Sequence, residues 1–260
     1  MAYGNYYGGF PEYVPVAERR KRAARKLAQL RKKGHDPKPV VIDGRVIATT
    51  FWGKAWCDHL ESHADFENRL PRGRTYVRNG SVIDLKILEG EVRALVSGSE
   101  FYEVKVEIQP LAAAQWKTVR RECAGQIGTL VELLAGRFSS AVMEVLCHRQ
   151  KGLFPATREI TMSCSCPDGA WLCKHLAAVL YGVGARLDHA PELLFTLRGV
   201  EGAELVAAAG KAGALRSPGR AGGAIGNEHL ADIFGIELEP SVPAATARAV
   251  KRPRRAANRS

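Results

Sequence analysis

Cys164, Cys166, Cys173 and His175 lie in the stretch TMSCSCPDGAWLCKHLAAVLYG, with the spacing C-x-C-x6-C-x-H. Three thiols and an imidazole, in pairs one residue apart, make a tetrahedral donor set suited to one Zn2+. The protein supplies all four donors, leaving no position for water or substrate, so the expected ion is structural and not hydrolytic. Three thiolates and Zn2+ sum to a formal −1, so the ion would not by itself attract phosphate. Lys174, between two of the ligands, is placed to offset that charge. The disfavoured alternatives are buried free thiols with an incidental histidine, or a Cys164–Cys166 disulfide, which would close a strained, tiny ring.

Spacing also dictates which elements must carry these donors. Residues 158–164 (REITMSC) read as a strand, on which i and i+2 share a face, so Cys164 and Cys166 can reach one ion at its end. Pro167 biases Cys166 towards extended backbone, and Pro167-Asp168-Gly169 is a turn signal. On a helix, i and i+2 point about 200° apart. Cys173 must therefore precede the helix, with His175 in or near its first turn. Leu176, Val179, Leu180, Val183 and Leu187 continue as an apolar stripe. The expectation is a ββα-like unit that pins a strand end to a helix start.

Other constellations are weaker. Cys57-Asp58-His59, with His63 four residues on, imitates a ligand cluster but lacks an upstream thiol pair. Cys123 and Cys147 fall in helical apolar patterns and read as core thiols. No Walker loop, G-x-G-x-x-G or G-x-S-x-G is present, and the carboxylates form no recognisable pair. The chain is therefore expected to be non-enzymatic, without a small-molecule substrate.

Charge points elsewhere. The formal net charge is +11, but residues 19–33 carry nine Lys/Arg and no acid, and residues 248–259 carry six and no acid. Setting these aside leaves 23 basic against 27 acidic residues, so the body is mildly acidic and the positive charge sits on appendages. That favours basic arms gripping phosphate over a basic groove. A helix is expected from Val16 to Lys33, with a narrow stripe of Ala23, Leu27 and Leu30 and with Gly34 as its cap. Cations at Arg19, Arg20, Lys21 and Arg22 sit at the helix end where the dipole disfavours them, so dipole compensation does not explain the run. Phosphate contact, a solvated face and a partner-docking helix all remain open. Residues 69–80 (RLPRGRTYVRNG) read as a glycine-containing basic loop, in which Arg69, Arg72, Arg74 and Arg78 beside Tyr76 could meet a phosphate backbone. Arg158, Lys174 and Arg186, near the ligand set, complete the expected nucleic-acid contacts, with DNA as the partner.

Around these sites the pattern reads as α+β. A hairpin-like turn at Asp43-Gly44 precedes a short helix over Lys54–Ala64. Residues 82–88, 91–99 and 102–108 alternate with period two, as an antiparallel β-meander. Helices follow over Ala112–Cys123, Ile127–Leu134 and Ser139–His148, with short ones near Pro191–Thr196 and Ala203–Ala209. Four regions are expected: 1–36, a Tyr/Gly-rich start and basic helix; 37–150, an α+β domain; 151–209, the metal unit and following helices; and 210–260. The last holds a Gly-rich flexible linker, an apolar cluster (Leu230, Ile233, Phe234) and a basic tail. No apolar run approaches a membrane span, and the N-terminus lacks the features of a secretory signal, so a cytoplasmic or nucleoid-associated location is expected.

The ligand spacing, after a strand and opening a helix, resembles the SWIM zinc finger. More widely, FPEYVPVAERR, TFWGKAWCDHLES, NRLPRGRTYVRNGSVIDLKI, CSCPDGAWLCKHLAAVLYGVGARLD and PELLFTLRGV resemble the bacterial SWIM-domain protein often encoded beside a Swi/Snf-type helicase-like ATPase. The resemblance covers roughly residues 10–210. It implies Cys164, Cys166, Cys173 and His175 as ligands, binding to DNA or protein, and partnership with a helicase-like ATPase. A pure protein-interaction adaptor, docking through the finger and the Leu230 cluster, is the alternative.

Overall fold

A computed structural model describes residues 12, 14–62, 69–124, 140–205 and 207–208. Its centre is a four-stranded antiparallel sheet in the order β1 (Val82–Leu88), β2 (Glu91–Ser97), β3 (Phe101–Ile108) and β4 (Ile160–Cys164). The expected meander supplies the first three strands. The strand before the thiols becomes the fourth, pairing Val104 with Cys164 and Ile108 with Ile160. Residues between β3 and β4 carry α4 (Ala113–Ala124) and α5 (Ser140–Leu146). The expected helix over Ile127–Leu134 lies outside the described residues, as do the linker, the Leu230 cluster and the basic tail. The fold is α+β.

Helix α6 (Lys174–Leu187) is buried on almost every side, more deeply than a single apolar stripe requires. One side meets the sheet, while α2 (Phe51–Glu61) and α3 (Leu70–Arg78) pack elsewhere around it. Trp56 Nε1 donates to the carbonyl of Leu180 at 2.8 Å, inside this core. A short helix, α7 (Leu193–Leu197), follows, and residues 203–205 and 207–208 are also helical.

Two expectations are corrected. The basic loop at 69–80 is instead helix α3 from Leu70 to Arg78. Pro71 falls in its first turn, where a missing N–H costs nothing. Gly73 serves packing: a Cβ there would lie 2.5 Å from Ala177 Cβ and 2.9 Å from the Ala177 carbonyl carbon. The helix ends at Gly80 with φ 68°, where Gly80 N–H bonds the Val77 carbonyl and Ser81 N–H bonds that of Tyr76. The second correction concerns Asp43-Gly44, which turns no hairpin. Residues 41–50 form no strand, and the preceding segment bonds β1 instead, through Val40 N–H to Val82 and Leu85 N–H to Lys38. Helix α2 then starts earlier than expected, because Thr50 caps it by accepting from Gly53 N–H.

Candidate metal centre

The four donors meet as their spacing requires. Cys164 ends β4, Cys173 is the N-cap of α6, and His175 sits in that helix's first turn. Cys173 Sγ accepts from Leu176 N–H at 3.4 Å, a capping bond made by sulfur. The second thiol is aimed by the sheet: Ser165 N–H donates to the Glu103 carbonyl at 3.0 Å, and Glu103 N–H donates to Ser165 Oγ. Asp168 steadies the intervening loop by accepting from Ala170 N–H and pairing with Arg69 at 2.9 Å.

All four donor atoms lie within 4.8 Å of one another. His175 Nδ1 stands 3.8 Å from Cys164 Sγ and 3.9 Å from Cys173 Sγ. A tetrahedron around zinc, with Zn–S of about 2.3 Å, has edges of roughly 3.8 Å, so the residues present fit one Zn2+. The donor set is shared between a strand end and a helix start, and among the described residues it is the one cluster of this kind. Cys57 and His59 do not join one. Cys57 and Cys147 are half-buried and Cys123 is buried, and burial pushes each thiol up to about 12. All three pack in or against the hydrophobic core.

Electrostatics within the cluster are uneven. The Cys173 thiol is held down to about 4, chiefly by a hydrogen bond from Cys164, with further help from His175 and Leu176 N–H. Cys164 is pushed up by the same shared proton, and Cys166 is raised by burial. The helix start favours the thiolate at Cys173, because unpaired N–H groups carry partial positive charge there.

The imidazole is positioned by rings. Tyr102 stacks on His175 at 4.3 Å and 27°, and Tyr76 meets it edge-on at 5.3 Å. Gly98 leaves room beside Nε2, where a Cβ would come within 3.0 Å. Tyr102 shares the inward face of β3 with Val104, Val106 and Ile108, so its parity was visible in the sequence; its partner was not.

The expected nucleic-acid contacts separate into distinct environments. Arg19 is 7% exposed, its guanidinium 4.6 Å above the Tyr76 ring. Arg20 donates to the Asn79 carbonyl and Oδ1 at 3.2 and 3.1 Å, and Arg22 to the Ser99 carbonyl at 3.3 Å while pairing with Glu18. Arg74 bonds Tyr181 Oη at 2.8 Å and Glu61 at 2.5 Å, and Arg186 bonds the carbonyls of Lys38 and Pro39. Lys174 is half-buried, 5.7 Å from the Tyr76 centroid. Lys21, Arg72, Arg78 and Arg158 are exposed. Tyr76 is thus a post shared by the basic helix, α3 and the metal cluster.

Residues 150–183 match the SWIM zinc finger family. The chain is 38% identical over 164 residues to "Uncharacterized protein Rv2102" of Mycobacterium tuberculosis, a match covering 62% of this chain and 59% of that protein. The chain therefore spans less than two thirds of that relative's length. No solved structure matches.

Proposed function

We propose that this chain, which carries a SWIM zinc finger, is a non-enzymatic accessory protein that holds nucleic acid through cations arranged around the finger, in company with a helicase-like ATPase. The observation that carries this reading is that a basic helix is seated beside the finger, with Tyr76 between them. Helix α1 (Val16–Lys32) reaches the metal cluster through Arg19, Tyr76 and His175 in succession. Lys174, Arg72, Arg78 and Arg158 lie on the same body without a carboxylate partner among the described residues. Four protein donors close the zinc site, so the metal's chemistry is that of a clamp. The ATPase partner is supported by the family resemblance alone, and the relative's name adds no activity.

Salt tests the reading. Full-length protein should bind nucleic acid at about 50 mM salt and lose affinity steeply towards about 200 mM. No retention on duplex or single-stranded DNA even at about 50 mM would overturn it. The adaptor reading draws on a different observation: Val41, Val46 and Phe51 are 72, 57 and 48% exposed within one short segment. A partner held there would stay bound as salt rises.

A further inference from the structure

Helix α1 has two basic faces, and only one is free. Arg19, Arg20 and Arg22 are committed to Tyr76, Asn79 and Ser99, Lys26 lies 5.4 Å from the Phe101 centroid, and Ser97 Oγ donates to the Arg19 carbonyl. These contacts fix the rotation of α1 about its axis. Lys21, Arg25 and Lys32 then fall on the opposite side, within about 40° of one line at about 100° per residue. All three are exposed, and none is paired with a carboxylate among the described residues.

From these observations, and resting on the nucleic-acid reading above, we infer that Lys21, Arg25 and Lys32 form the face of α1 that lies on the phosphate backbone of duplex DNA, while Arg19, Arg20 and Arg22 hold that helix to the body. The line runs about 17 Å, at about 1.5 Å per residue. Ala28 lies between the cations and Ala17 just before them, while Glu18, at the edge of this face, is paired with Arg22. A protein partner needs a large anchor buried at the centre of the contact, and this face offers none. Single-stranded nucleic acid is held by aromatic side chains that stack on bases, and no aromatic lies on this face. Duplex DNA presents about one negative charge per 1.7 Å of axis and asks only for placed cations.

The test uses full-length protein and a mixed-sequence duplex, with affinity followed from about 50 to 200 mM salt. Combining Lys21→Ala, Arg25→Ala and Lys32→Ala should lower the log–log salt slope by about 2–3 and weaken binding more than tenfold at about 100 mM. A control that removes three exposed cations elsewhere (Lys54→Ala, Lys117→Ala and Arg149→Ala) makes the same charge change and should leave the slope near that of the unaltered protein. Alanine favours the helix, so an unchanged melting temperature shows that α1 persists. Equal slopes for the two triple variants would overturn the assignment of this face, while unaltered protein that still binds DNA would leave the broader reading standing. Failure of the unaltered protein to bind any DNA at about 50 mM removes both. Equal affinity for polyglutamate and duplex, or a single strand preferred with an unchanged slope, would also overturn the assignment.

Discussion

Cys173 is the residue on which most chemistry converges. It caps α6, accepts from Leu176 N–H, shares a proton with Cys164 and faces His175 Nδ1. Zinc takes thiolates, so its binding must displace the protons of Cys164, raised by its bond with Cys173, and of Cys166, raised by burial. Lower pH favours the protonated thiols, so apparent zinc affinity should weaken as pH falls from about 8 to 6, by at least about tenfold per unit. A competitive chelator titration reads this directly, and a pH-independent affinity would contradict it. Purified protein should hold one zinc per chain by elemental analysis. Cys173→Ala should lose both metal and cooperative folding, since binding energy at such sites is folding energy. The ligand set was legible in the sequence because pairs of donors one residue apart are a local geometric constraint.

Helices were less legible than ligands. The segment at 69–80 carries Pro71, Gly73 and Gly80, three residues that ordinarily break helices, and it read as a loop. Each has a helical use here: Pro71 in the first turn, Gly73 where α3 approaches α6, and Gly80 just past the end. Only the neighbouring element reveals the second use. Gly73→Ala should therefore destabilise by about 1–3 kcal/mol, although alanine raises helix propensity. Urea unfolding measures the shift; a neutral or stabilising effect would mean that α3 and α6 can move apart freely. Helix α6 misled in the opposite sense. Its apolar stripe was recognised, but its burial on almost every side depends on α2, α3 and the sheet arriving from distant parts of the chain.

At the scale of the molecule, the finger is built into the main core: β4 extends the sheet and α6 lies against it. The basic helix is joined to that core through Tyr76, between Arg19 and His175. Tyr76→Leu should keep one zinc per chain while amide exchange in α1 accelerates on the order of tenfold, reflecting the loss of a cation–π contact worth about 1–2 kcal/mol. Unchanged exchange in α1 would show that Arg20 and Arg22 suffice to hold it. By itself the sequence determined the ligands, the strand-then-helix order around them, the meander and the basic character of α1. Each follows from residues close together along the chain, where spacing and period constrain the backbone directly. Tertiary structure alone decided which cations of α1 are anchors and which face outward. A helix can turn about its axis without changing its sequence pattern, and only packing against Tyr76, Asn79 and Ser99 stops it at one angle.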